Sequence, residues 1–366
     1  MARVFVTGGS GVVGSDLVEQ LVRRGDQVIA LARSDQAAAA LTARGAEVLS
    51  GEILDEDVLA EGMSGCELAF HVAGINQFCV SDPAPMMRAN VDGAVTAVRA
   101  AKRASLPRLI YTSSSSAIGE EAGVVADEFT AHRGWYMSHY ERSKALGERA
   151  VLESAKQLGQ DVVAVNPSSV QGPGRAGGTG KFLLAFLDGR LKYFVDTWVS
   201  MVDIQDCTAG HLLAAERGVS GERYLLSGIC LSITDALELA ADVAGVERSP
   251  RLLPRQLANI GGGAAELAFR ARGKHPPVCR EMVRTLLHGH RFDGSRAERE
   301  LGLTYTPPRE TIARTVAWAR AEGLLQPHPG AGLAAGEHHQ DAETLKANAQ
   351  PADAHEQPPG GPSRQP

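Results

Sequence analysis

The chain has 366 residues, more than one compact core usually holds, so one large domain or two coupled ones are expected. With 44% hydrophobic and 22% charged residues the composition is that of an ordinary globular protein, and a net charge of −6 argues against a nucleic-acid binder relying on a basic face. Five cysteines (Cys66, Cys79, Cys207, Cys230 and Cys279) are scattered, odd in number and in no CxxC pair. They read neither as a disulfide framework nor as a zinc site, and they fit a reducing cytosol. A strand-like run starts at Arg3, leaving no room for a signal peptide. No apolar stretch reaches the ~18 residues of a membrane span; the nearest approach, residues 257–269, contains three consecutive glycines and Glu266. A cytoplasmic protein without nucleic-acid or membrane partners is the expectation.

Along the chain, short β-branched runs at residues 4–7, 27–32, 47–49, 68–71, 109–112 and 162–166 read as strands. Between them, residues 11–24, 86–104 and 140–158 carry apolar side chains at helical spacing. This alternation predicts an α/β fold with a doubly wound parallel sheet. After Asn166-Pro167 the texture changes. Residues 171–180 form a glycine-rich loop, two short strands at 201–204 and 223–226 bracket a helix at 206–216, and helices dominate from 233 to 323. From Pro327 onward there is no Val, Ile, Phe, Tyr or Trp, so residues 327–366 are expected to be a disordered tail. The isolated pair His338-His339 lacks further ligand spacing, and no metal site is expected.

The run Thr7-Gly8-Gly9-Ser10-Gly11-Val12-Val13-Gly14 lies between the first strand and the first helix. Gly8, Gly11 and Gly14 suit a tight turn, close backbone approach to a pyrophosphate and close helix–strand packing, while the helix N-terminus turns free N–H groups to the phosphates. The second strand ends in Ala32-Arg33-Ser34, where an NAD site would place Asp or Glu. A guanidinium at Arg33 suits a 2′-phosphate, so NADP(H) is favoured over NAD. Glu52-Ile53 follows the third strand, where the adenine edge should lie, and Ala73-Gly74 follows the fourth, where small residues let a cofactor approach the backbone.

In Tyr140-Glu141-Arg142-Ser143-Lys144 a phenol and an amine stand four residues apart, on one helix face. A nearby ammonium favours the phenolate and brings tyrosine towards the working pH range. Upstream, Tyr111-Thr112-Ser113-Ser114 ends a strand in hydroxyls at the carboxyl edge of the sheet, where ligands bind in such folds.

Taken together, these motifs resemble the extended short-chain dehydrogenases/reductases, the NAD-dependent epimerase/dehydratase family, over about residues 3–325. Asn90-Val91-Asp92-Gly93, Asn166-Pro167-Ser168-Ser169 and Phe292-Asp293-Gly294-Ser295-Arg296 add to the likeness. The resemblance implies a Rossmann-type dinucleotide-binding domain over residues 1–170, with 201–228 returning to it. Residues 171–200 and 229–326 would then form a smaller, mainly helical substrate lobe. It also implies Tyr140 as general acid/base, Lys144 as its electrostatic partner and a holder of the nicotinamide ribose, and Ser114 as the hydroxyl polarising the substrate oxygen. Asn90 would support the cofactor site, and Pro167, Ser168 and Ser169 would lie near the carboxamide. Family members often pair through the helices matched by residues 86–104 and 140–158, so a homodimer is expected.

Sugar-nucleotide members tend to carry an Arg that grips the diphosphate where this chain has Val199-Ser200, and dehydratases an acid where Ser115 stands. Those departures, with Arg33, make the chain look more like the dihydroflavonol-4-reductase-like and hydroxysteroid-dehydrogenase-like branches. The implied activity is ketone or aldehyde to alcohol interconversion on a small, rather apolar metabolite, with Trp135, Tyr136, Phe182, Phe186 and Trp198 as pocket candidates. A sugar or nucleotide-sugar epimerase or dehydratase holding NAD tightly is the main alternative. A non-catalytic cofactor sensor would need no Tyr–Lys pair.

Overall fold

The computed structural model describes residues 1–325; the expectation for residues 327–366 lies outside the described residues. In chain order the first half runs β1 (Arg3–Thr7), α1 (Val12–Arg23), β2 (Gln27–Ala32), α2 (Asp35–Thr42), β3 (Glu47–Ser50), α3 (Glu56–Met63), β4 (Leu68–His71), α4 (Ala84–Met87), α5 (Gly93–Arg103), β5 (Arg108–Thr112), β6 (Val125–Ala126), α6 (His139–Leu158) and β7 (Val162–Pro167). The second half runs β8 (Ser169–Gln171), α7 (Thr179–Leu187), β9 (Tyr193–Val195), β10 (Trp198–Asp203), α8 (Ile204–Arg217), β11 (Arg223–Leu226), β12 (Ile229–Ser232), α9 (Ile233–Ala244), β13 (Arg251–Leu253), α10 (Arg255–Arg270), α11 (Arg280–His288), β14 (Arg291–Phe292) and α12 (Pro308–Ala321).

Seven of these strands make the central sheet, in the order β11-β7-β5-β4-β1-β2-β3, and every pairing in it is parallel. Because successive strand residues point to opposite faces, β1 sends Val4 and Val6 into one apolar cluster with α1 and α8, and Phe5 into another with α3, α5 and α6. Both faces are covered, so β7 is buried from end to end, and its first four residues, Val162 to Val165, read as an apolar run. The chain order reverses between β1 and β4, which opens a crevice at the carboxyl ends of those strands.

The expected helix over 86–104 is interrupted: α4 passes through a π turn at Arg88–Asp92 before α5 begins. A wide turn of this kind commonly marks a functional site, and here it carries Asn90. Helix α6 starts at an N-cap in which Ser138 Oγ accepts the Glu141 N–H, while the Glu141 carboxylate accepts the Met137 N–H, and it ends at Gly159 in the left-handed region. Helices α2 and α3 have weaker apolar patterns and were not foreseen.

Three small sheets, β12-β10-β8, β13-β9 and β14-β6, lie apart from the main one. Helices α7, α9 and α12 share one apolar cluster, and α10 packs on α11 through Ala258, Val283 and Leu287. A disulfide joins Cys79, after β4, to Cys279, before α11, with a sequence separation of 200. This corrects the expectation of unpaired thiols. Neither cysteine has a local spacing signature, because the fold alone brings the two segments together. Cys66, Cys207 and Cys230 are free. No helix among the described residues is long and apolar enough to cross a membrane.

Candidate active site

The glycine turn closes on itself, with the Gly11 N–H bonded to the Gly8 carbonyl at 3.0 Å. Gly8 has φ +73°, and a Cβ there would lie 2.5 Å from the Ala73 nitrogen; a Cβ on Gly14 would lie 2.1 Å from the Gly8 carbonyl oxygen. Both positions therefore require glycine. At Gly11 the nearest atom to such a Cβ is 3.3 Å away, so its absence there keeps open the approach from the crevice side. Helix α1 begins at Val12 with no side-chain cap and no acid in its first turn, so Val12, Val13 and Gly14 offer N–H groups in a positive field. Thr7 is buried below, its hydroxyl bonded to His71 Nδ1 at 2.9 Å. Burial pushes His71 down to about 3, so it stays neutral.

Arg33 stands exposed at the carboxyl end of β2, just before α2. Glu52 is exposed beyond β3, and Ile53 packs under Gly93. Ala73 and Gly74 border the turn, with the Gly74 backbone near both Asn90 and Lys144 Nζ. A glycine cradle and a free helix start at the crevice together suit a dinucleotide.

Tyr140 lies in the first turn of α6, its ring 6.0 Å from that of Phe78. Burial raises its pKa above the ordinary tyrosine value, while a hydrogen bond with Ser114 and the Arg175 guanidinium pull it back down. Ser114 caps the short helix Ser115–Ala117, its Oγ accepting the Ser116 N–H at 3.2 Å, and Asn166 Nδ2 holds its carbonyl at 3.0 Å. Among the four serines, Ser114 is thus the one that meets Tyr140.

Lys144 is buried one turn on. Its Nζ donates to the Thr112 carbonyl at 2.9 Å and sits 5.5 Å from the Tyr111 ring centre. Burial brings its pKa down to about 8, against the pull of Glu148. Lys144, the cation that the sequence sets beside Tyr140, is bonded to the sheet edge, and the Arg175 guanidinium is a further cation that lowers the phenol's pKa.

Arg175 was not foreseen. It is the lone cation of the glycine-rich loop, and the loop is built around it: a Cβ on Gly180 would lie 2.1 Å from the Arg175 carbonyl. Asn90 is saturated by the protein, accepting the Ile75 N–H at 2.7 Å and donating to the Ile75 carbonyl at 2.9 Å and Ser143 Oγ at 2.8 Å. It clamps the loop after β4 to α6 rather than offering a free group. Pro167 ends β7, the Ser168 N–H bonds to the Leu226 carbonyl, and Ser169 Oγ joins Thr179 and Gln171 at 2.8 and 3.0 Å.

Two further features were missed. Glu120, just past the serine loop, accepts from His290 Nδ1 at 2.6 Å and lies 3.3 Å from His288 Nε2, tying that loop to the residues after α11. A cavity of about 420 Å³ lies among α7, α9, α10 and α12, and its wall is overwhelmingly apolar. Of the five aromatic candidates only Phe182 lines it. Phe186 is core beside Phe194, Trp135 lies under Arg133, Trp198 lies under Arg291, and Tyr136 meets His132 edge-on.

A parallel seven-stranded sheet with a glycine turn at its reversal point is a Rossmann-type dinucleotide-binding fold. A model of the NAD-dependent epimerase/dehydratase family matches residues 4–227, and the chain belongs to that family. It is 32% identical over 330 residues to a putative dihydroflavonol 4-reductase of Synechocystis sp., covering 88% of this chain and 96% of that protein. It is 33% identical over 328 residues to sterol demethylase protein B of Methylococcus capsulatus, covering 88% and 99%. The crystal structure of gox2253 superposes with a TM-score of 0.77 at 31% identity, over 89% of this chain and all (100%) of that one.

Proposed function

We propose that the protein is an NADP(H)-preferring oxidoreductase that interconverts a carbonyl and an alcohol on a small, apolar metabolite. The observation that carries this reading is the convergence of Ser114, Tyr140 and Lys144 beside the glycine turn. Arg33 supports the phosphorylated cofactor, and a likeness to proteins named as reductases supports the reaction class. The apolar cavity, whose lining includes Val199 where a diphosphate-gripping Arg would be needed, supports the substrate class.

A bound nicotinamide supplies the hydride in the reducing direction. Ser114 and Tyr140 donate hydrogen bonds to the substrate oxygen and so hold the carbonyl in line. Tyr140 gives up its phenolic proton as charge develops on that oxygen. Arg175 stabilises the phenolate left behind, and Lys144, held by the Thr112 carbonyl, faces the Gly74 backbone where a ribose would lie. In oxidation the same groups run in reverse, with the phenolate as base.

Loss of NADPH absorbance against ketones, aldehydes and nucleotide sugars tests the reading. Turnover with an apolar carbonyl, weaker with NADH, is expected. If no carbonyl is reduced, while the purified protein retains NAD and epimerises a nucleotide sugar, the epimerase alternative replaces it.

A further inference from the structure

Helix α10 carries an apolar stripe on its outer side. Leu257, Ile260, Ala264, Leu267 and Ala271 recur at helical spacing, and all five are exposed. Leu257, Ile260 and Leu267 are 57%, 68% and 71% accessible, and Leu252 just before the helix is 47% accessible. Single exposed apolar residues are ordinary; a contiguous row of large ones marks an interaction surface.

The inner side of the same helix is also apolar. Ala258 and Gly262 pack on α11, and a Cβ on Gly262 would lie 2.6 Å from Val283, so the helix sits close. Leu253, Leu257 and Gly261 line the 420 Å³ cavity. Leu257 and Tyr193 line that cavity and are also 57% and 50% exposed, so they mark its mouth. The mouth therefore opens beside the outer stripe.

Charge identifies the occupant. Between residues 251 and 274 the chain has five cations (Arg251, Arg255, Arg270, Arg272 and Lys274) and one carboxylate, Glu266, which pairs with Arg270 at 3.0 Å. This local excess stands in a chain of net charge −6. The cations cluster at the two ends of α10 and leave the apolar stripe between them, which is the pattern of a helix lying in a membrane interface with its basic side chains reaching the headgroups. A second copy docked through the same patch by two-fold symmetry would oppose like charges.

We propose that the outer face of α10 docks the protein on an anionic lipid surface, with the mouth of the apolar cavity facing the bilayer. The absence of a spanning segment led the sequence reading to expect no membrane partner; the contact proposed here is peripheral and departs from that expectation. Cavity access from the lipid side rests on the apolar-substrate reading; the docking itself does not.

Vesicle flotation of the full chain tests the docking without any enzymatic readout. The protein is expected to float with vesicles containing phosphatidylglycerol and far less with pure phosphatidylcholine, and added salt should release it. Ile260→Glu with Leu267→Glu, both exposed, should cut partitioning roughly tenfold or more while leaving the circular dichroism spectrum and NADPH binding unchanged. A parent protein that stays in solution with anionic vesicles overturns the proposal. So does a double variant that floats as well as the parent. A parent dimer converted to monomer by the two substitutions would assign the stripe to a second copy instead.

Discussion

At Tyr140 three influences compete. Burial opposes the phenolate, the Ser114 hydroxyl favours it, and the Arg175 guanidinium favours it from a different loop. Arg175→Gln removes a cation, so the phenolate becomes harder to form and the rising limb of the pH profile for alcohol oxidation should move to higher pH. Far-UV circular dichroism should be unchanged, and an unmoved limb would show that Arg175 only packs. Lys144 gives a second pH test. Its folded-state pKa of about 8 lies below the unfolded value, so from about pH 8 to about pH 10.4 the unfolded chain holds the extra proton. The contribution of this group to stability therefore rises with pH across that window. Thermal melts should show wild type gaining on Lys144→Met between pH 8 and pH 10; a constant gap would contradict a buried, depressed ammonium. The Tyr–Lys pair was legible from its four-residue spacing, and Ser114 only through the family resemblance. Arg175 was not, because its partner lies 35 positions away in sequence and the two meet only through the fold.

The glycine turn is the element whose geometry follows most directly from its residues. Gly14→Ala would drive a methyl to 2.1 Å from the Gly8 carbonyl, whereas Gly11→Ala meets nothing closer than 3.3 Å. The first substitution should lower the melting temperature and abolish cofactor binding. The second should leave the melting temperature close to wild type and weaken only the cofactor. Equal melting losses would mean that the third glycine does not set the helix–strand distance. The strands of the central sheet were legible from short apolar runs, since β2, β4 and β11 coincide with the runs read as strands. Helices α2 and α3 and the π turn at Arg88–Asp92 were not, being short or irregular and held by tertiary packing rather than by pattern. Asn90 shows the consequence: the resemblance implied that it supports the cofactor site, and the wide turn is what bonds it to Ile75 and Ser143.

On the scale of the whole molecule, long-range contacts join the parts around the crevice. Glu120 meets His290 across a sequence separation of 170, and Cys79 meets Cys279 across 200. No residue spacing announces either. Closing so long a loop restricts the unfolded chain, so Cys79→Ser with Cys279→Ser should cost about 2–5 kcal/mol in denaturant titrations under oxidising conditions. The same variant should match wild type when both are reduced, and an equal loss in reductant would place the effect in packing. Sheet order and the glycine turn mark a dinucleotide-binding fold, whereas the apolar cavity and the stripe on α10 come from the second half of the chain, where sequence patterns were weakest. The central claim is that Tyr140 transfers the proton beside a bound nicotinamide. Its most direct test is Tyr140→Phe, measured for NADPH-dependent carbonyl reduction and, separately, for NADPH affinity by fluorescence titration. Turnover is predicted to fall by about 10²–10⁴-fold with affinity changed only slightly; turnover within a few-fold of wild type would contradict it.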